Sequence, residues 1–215
     1  MDRGLSLRDV TISKGGAPLL SISHDVGSGE ALTLMGPSGV GKSTLLAFIT
    51  GTLPADFRAK GTVWLDGRDI TQAPPHRRRV GILFQDDLLF PHLSVGANLA
   101  FGLKPGGTAA ERSAKIAEAL DEVGLSGFEN RDPATLSGGQ KARVALMRML
   151  LSEPCALLLD EPFSRLDAAL RAQVREMVFD RARARQLPVL MVTHDAEDAQ
   201  AAGGHVVTLG AQTET

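Results

Sequence analysis

An apolar run, Ala31 to Met35, breaks abruptly into Gly36, Pro37, Ser38, Gly39, Val40, Gly41, Lys42, Ser43 and Thr44, and apolar residues resume at Leu45. Gly36, Gly41, Lys42 and Ser43 match the pattern G-x-x-x-x-G-K-[ST]. The glycines let backbone N–H groups turn inward around phosphate oxygens. Lys42 supplies a charge for the β- and γ-phosphates, and Ser43 offers a hydroxyl ligand to Mg²⁺. Thr44 continues a helix whose N-terminus faces the phosphates. The motif needs a strand before it and a helix after it, so Ala31 to Met35 is expected as a strand and Lys42 to Thr50 as a helix.

Three more short apolar runs end in polar residues: Val80 to Phe84 before Gln85, Ala156 to Asp160 before Glu161, and Val189 to Thr193 before His194. Continuous runs of this length read as buried strands of a parallel sheet. Ligands of such sheets sit beyond the carboxyl ends of the strands. Helical spacing is expected over Glu111 to Val123, with Ala114, Ile116, Ala117, Leu120 and Val123 inward, and over Leu170 to Ala184, with Val174, Met177 and Val178 on one face. The alternation predicts an α/β fold with a mainly parallel sheet. Gly61 to Ile70 alternates instead like antiparallel strands, which predicts an N-terminal antiparallel β subdomain. Leu88 to Leu151 contains no convincing buried strand and reads as a helical insert. One domain is therefore expected over residues 1–215, with a nucleotide-binding core at 1–87 and 152–215 and a helical subdomain at 88–151.

The acid pair Asp160–Glu161 ends an apolar strand, where Asp160 can hold Mg²⁺ and Glu161 can polarise an attacking water. Alone, the pair could be two solvated carboxylates; beside the glycine loop it reads as the matching metal and base. A second glycine site, Leu136-Ser137-Gly138-Gly139-Gln140, opens a helix with Ala142, Ala145, Leu146, Met149 and Leu150 at helical spacing. Its N-terminus is an anion site that the chain's own phosphate loop does not need. The plainer alternative is a helix capped by Ser137.

The order GPSGVGKST, Gln85, LSGGQ, LLLDEP, SRLD and His194 resembles the ATPase subunit of ABC transporters nearly end to end. The resemblance implies a phosphate-loop NTPase core and ATP hydrolysis with Mg²⁺. It also implies that two subunits meet head to tail, with each ATP between the phosphate loop of one and Ser137, Gly138, Gly139 and Gln140 of the other. It implies that Gln85 senses Mg²⁺ and the attacking water, that His194 contacts the γ-phosphate, and that Asp167 crosses to the other subunit. Catalysis is thus assigned to Glu161, His194 and Gln85, and metal binding to Ser43, Gln85 and Asp160. Two positions depart from the family pattern. Lys14 stands where members usually place an aromatic ring against adenine, and Arg165 stands where a small residue is usual. The stretches LFQDDLLFPHLSVGANLAFGL and EPFSRLD resemble importer ATPases of the thiamine, ferric-iron, molybdate and polyamine type. The expected partners are a second copy, membrane permease subunits and, indirectly, an extracytoplasmic solute-binding protein. The expected location is the cytoplasmic face of the membrane, and no C-terminal regulatory domain is expected. A soluble nucleotide sensor or regulatory ATPase of the same type, not coupled to transport, is the alternative.

Composition agrees with a folded soluble chain. Hydrophobic residues make up 43% and charged residues 22%, a globular balance. A net charge of -2 gives no general attraction to nucleic acid. The clusters Arg77 to Arg79, Arg181 to Arg185 and Lys141 with Arg143 read as solvated faces. Cys155 is the only cysteine, which excludes an intrachain disulfide; it reads as a buried structural thiol. His24, His76, His92 and His205 have no mutual ligand spacing.

Overall fold

The structure, a computed structural model, describes residues 4–86 and 88–210. The expected boundary at residue 87 and the charged N-terminus at residues 1–3 lie outside them. Two compact units are distinguished. The first comprises residues up to Ile82, Cys155–Glu161 and those from Phe179 onward, and the second comprises Leu83–Pro154 and Pro162–Val178.

In the first unit, β1 (Gly4–Lys14), β2 (Ala17–Gly27), β4 (Phe57–Leu65) and the short β5 (Arg68–Asp69) form a sheet of order β2-β1-β4-β5, antiparallel throughout. The sequence reading began this second antiparallel segment at Gly61; the strand begins four residues earlier. Gly61 occupies an irregularity of this strand. Its φ is +87°, a Cβ there would lie 2.4 Å from the Asp9 carbonyl, and the register slips between Arg8 and Thr11. A glycine inside a strand marks such a bulge rather than an end.

The second sheet joins β3 (Ala31–Met35), β6 (Val80–Leu83), β7 (Ala156–Asp160), β8 (Val189–Val192) and β9 (His205–Thr208) in the order β6-β7-β8-β3-β9. Strands β7, β8, β3 and β9 run parallel. Ala31 to Leu34, Ala156 to Leu159 and all of β8 are buried, which explains their largely apolar character, with Thr33 the one polar residue in these runs. One apolar core joins the sheets, including Leu5, Ile12, Leu34, Leu46, Leu158 and Val192. Cys155 is half-buried against this core rather than fully enclosed.

Helix α1 (Lys42–Thr50) has the expected bounds. Its C-terminal end corrects one expectation. Arg78 is not a solvated charge but is 6% exposed. Its guanidinium donates to the carbonyls of Phe48 and Ile49 at 2.8 and 2.9 Å, and to Ala73 and Thr71 at 2.7 and 2.6 Å. The last carbonyls of α1 thus gain a cation as well as donors, a favourable arrangement at the negative end of a helix. Burial lowers the Arg78 pKa from its ordinary value. Arg77 and Arg79 are exposed, so the burial of Arg78 was invisible in a run of three.

In the second unit, α2 (Val95–Gly102), α3 (Ala109–Glu122) and α4 (Gly138–Leu150) pack together. No strand lies between Leu88 and Leu151. The inward face of α3 is Ile116, Ala119 and Leu120, followed by Val123; Ala114 and Ala117 are exposed, contrary to expectation. The true stripe keeps an i, i+3, i+4, i+7 spacing, which the expected set did not. Asn98 is fully buried, accepts from the Phe90 N–H at 2.8 Å and donates to the Phe90, Leu93 and Ser94 carbonyls, which fixes the loop before α2. Helix α5 (Ala168–Ala184) begins in this unit and carries a buried stripe of Val174, Val178 and Ala182; α6 (Ala196–Ala202) belongs to the first unit. Among the described residues, no helix is long and apolar enough to cross a membrane.

Candidate nucleotide site

The register of the parallel sheet aligns the chemistry of the first unit. Leu34 and Asp160 both pair with Val192, so the ends of β3, β7 and β8 lie in one row. The Thr193 N–H donates to the Leu34 carbonyl at 3.2 Å and the Glu161 N–H to the Val192 carbonyl at 2.9 Å. Three segments therefore leave the sheet side by side: the glycine loop, Asp160–Glu161 and Thr193–His194.

The loop reaches α1 through Gly41, which has φ +98° and precedes the first helical residue. An L side chain is strained there, and glycine is not. Lys42 is buried, and its ammonium donates to the Gly36 and Pro37 carbonyls at 2.7 and 3.0 Å. The Ser43 hydroxyl donates to the Asp160 carboxylate at 3.0 Å. Burial, partly opposed by that hydrogen bond, raises the Asp160 pKa above its ordinary value. A hydroxyl and a carboxylate oxygen at this spacing are hard ligands that suit Mg²⁺. Among the described residues, no group of three or more His, Cys, Asp or Glu side chains could hold a metal by itself. Mg²⁺ is usually held by one or two protein ligands, with waters and phosphate oxygens completing its shell.

Glu161 has φ +47°, an uncommon conformation for a residue with a side chain. Its carboxylate lies 3.2 Å from His194 Nδ1, and its side chain is 25% exposed against 65% for His194. One open cavity is lined by Ser38, Lys42, Ser43 and Glu161 and also by Leu19, Lys14 and Phe57. Phe57 escaped the sequence reading because the start of β4 had been placed too late. The Lys14–Phe57 cross-strand pairing would have shown it.

The remaining predicted residues belong to the second unit. Gln85 is exposed just beyond β6. Ser137 is the N-cap of α4: its hydroxyl accepts the Gln140 N–H at 3.3 Å, and the Gln140 side chain accepts the Ser137 N–H at 3.0 Å. The capping alternative is thus real. It uses the hydroxyl as acceptor and leaves its proton for another partner. The two glycines differ. A Cβ at Gly139 would meet Leu170 at 2.3 Å, whereas a Cβ at Gly138 would meet only Leu166, at 3.9 Å. Packing demands glycine at 139 and not at 138. All five predicted inward residues of α4 are buried, as are Val144 and Met147. Asp167 accepts the Leu170 N–H at 3.1 Å at the start of α5. Arg165 forms an ion pair with Asp86, the neighbour of Gln85; both are exposed, so the pair adds little stability. Outside these sites, the His24 and His205 rings meet edge-on at 5.4 Å, and His76 and His92 are exposed.

Comparison with known protein families gives a match to the ABC transporter family over residues 19–164. Among individual relatives, an uncharacterized ABC transporter ATP-binding protein, YnjD, of Escherichia coli K12 is 50% identical over 183 residues, covering 85% of this chain and 84% of the relative. The thiamine import ATP-binding protein ThiQ of Salmonella paratyphi A is 49% identical over 80% of this chain and 72% of the relative. The Fe(3+) ions import ATP-binding protein FbpC of Streptomyces avermitilis is 43% identical over 96% of this chain, which spans 60% of that longer protein.

Proposed function

Because the chain belongs to the ABC transporter family, we propose that it is the ATP-hydrolysing subunit of an importer for a small solute. The importer assignment draws on the relatives whose names specify import of thiamine and Fe(3+). The observation that carries the catalytic part is the Ser43–Asp160 hydrogen bond of 3.0 Å, which joins the phosphate loop to the acid strand beside Glu161.

In this reading Gly36 to Thr44 wrap the phosphates with backbone N–H groups, and Lys42 exchanges its two carbonyl partners for phosphate oxygens. Ser43 and Asp160, with Gln85, would hold Mg²⁺, which would supply positive charge against that developing on the phosphates. Glu161 takes hold of the attacking water and accepts its proton. His194, held at Nδ1 by Glu161, offers Nε2 to the γ-phosphate.

The site is completed by a second copy arranged head to tail, whose Ser137, Gly138, Gly139 and Gln140 face the γ-phosphate. Gly138 supports this. A Cβ there would meet only Leu166, at 3.9 Å, so the backbone at this position is open to close approach from another chain. Asp167 contributes to that contact. Residues 88–151 form the signature subdomain and the flanking segments the nucleotide-binding core. Permease subunits hold the protein at the cytoplasmic face of the membrane, and a solute-binding protein acts through them. No nucleic acid takes part.

The test is phosphate release by the purified protein, alone and with its permease, with Mg²⁺ and with a chelator. Turnover that requires Mg²⁺ and disappears in Asp160→Asn supports the reading. Turnover indifferent to both removes the assigned metal ligand.

A further inference from the structure

We propose that Phe57 is the platform on which the nucleotide base stacks, with Lys14 at its edge. The proposal rests on the reading of the phosphate loop as an ATP site and adds the part of the ligand that the loop does not touch.

Phe57 opens β4 and pairs directly with Lys14, the last residue of β1. Directly paired residues on adjacent antiparallel strands present their side chains to the same face. Both line the cavity that contains Ser38, Lys42 and Ser43, and among the residues lining it Phe57 is the one aromatic side chain. Phe57 is half-buried, packed against the core and still open to this cavity. A ligand whose phosphates occupy the loop therefore finds one flat apolar surface in the same cavity.

Lys14 explains how that surface stays soluble. Its ammonium lies 4.9 Å from the Phe57 ring centroid and 3.2 Å from the Asp56 carboxylate. A base entering over the ring displaces the ammonium towards Asp56, which already holds it. The cation–π contact given up is weak at an exposed site, whereas stacking of a base on an aromatic ring is worth more. Exchange therefore favours the base. Every base has a π face, so the platform accepts ATP and GTP alike, and the cavity takes nucleoside triphosphates as a class.

The experiment is calorimetric titration of the full chain with ATP and, separately, with inorganic tripolyphosphate, which has no base. Wild type is compared with Phe57→Leu, which keeps apolar volume without a ring, and with Phe57→Trp. The expected result is a loss of roughly tenfold in ATP affinity for Phe57→Leu, unchanged tripolyphosphate affinity, and near-wild-type ATP binding by Phe57→Trp. Unchanged ATP affinity in Phe57→Leu overturns the proposal. So does an equal loss for both ligands, which would mean a distorted loop. A wild type that binds neither ligand overturns the ATP site itself, and this proposal with it.

Discussion

His194 Nδ1 and the Glu161 carboxylate lie 3.2 Å apart, although 33 positions of chain and a helix separate them. The parallel register of β7 and β8 produces this contact, because Asp160 and Val192 are paired, Glu161 directly follows β7, and His194 follows β8 after Thr193. In the reading above, the pair is the base and its positioning neighbour. Glu161→Gln keeps the shape and loses the proton acceptor. It is expected to bind MgATP, to lower turnover by about 100-fold or more, and to accumulate as an ATP-bound dimer in sizing chromatography. Wild-type turnover in this variant would place the base elsewhere.

The two glycines of the second loop make a sharper pair of variants. Gly139→Ala forces a methyl group into Leu170 and is expected to destabilise the fold by about 1–3 kcal/mol in thermal or denaturant unfolding. Gly138→Ala meets nothing closer than 3.9 Å within the chain and should unfold like wild type while losing ATP hydrolysis. Ser137→Arg should also lose ATP hydrolysis and still bind nucleotide as a monomer, but removing the α4 cap should cost about 1 kcal/mol of stability. If Gly138→Ala retains full turnover, no second subunit approaches that position.

Arg78→Met removes the guanidinium donors from the Phe48, Ile49, Thr71 and Ala73 carbonyls, of which Phe48 keeps the Gly51 N–H. The expected cost is about 3 kcal/mol, at the upper range for hydrogen bonds to a charged group. Chemical denaturation measures it. An effect below about 0.5 kcal/mol, typical of a surface position, would show that water replaces the guanidinium.

Asp160 gives a pH signature. Burial raises its folded-state pKa above 3.8, so folding favours the protonated form. The ionised group then lowers stability as pH rises from 3.8 through the raised value, and the loss persists above it. Asp160→Asn removes that penalty. In the absence of nucleotide it should melt above wild type at neutral pH, with the gap closing towards pH 3 as both side chains become neutral, while Mg²⁺-dependent hydrolysis disappears. A gap independent of pH would assign the effect to packing.

Much of this site was legible in the sequence because its chemistry sits at strand ends in motifs of fixed spacing. The buried runs before Gly36, Glu161 and His194 place three functional segments without any knowledge of side chains. The less legible features depend on contacts between distant segments. Phe57 becomes relevant only through its register with Lys14, and the bulge at Gly61 disguised that register. Arg78 lies between two exposed arginines, and its burial follows from the carbonyls of α1 some thirty positions earlier, not from its neighbours. On α3, small alanines occur on both faces, so composition alone could not select Ala119 over Ala117.

The central claim is that each ATP is hydrolysed between two copies, with Glu161 from one and Ser137 from the other. Mixing tests it directly. Glu161→Gln and Ser137→Arg are each expected to be inactive alone. A mixed dimer contains one doubly defective site and one site with wild-type Glu161 and wild-type Ser137. Random pairing of the purified variants should therefore restore Mg²⁺-dependent phosphate release to about a quarter of the wild-type rate, since a head-to-tail interface combines different surfaces of the two copies. No recovery at any mixing ratio would contradict the account.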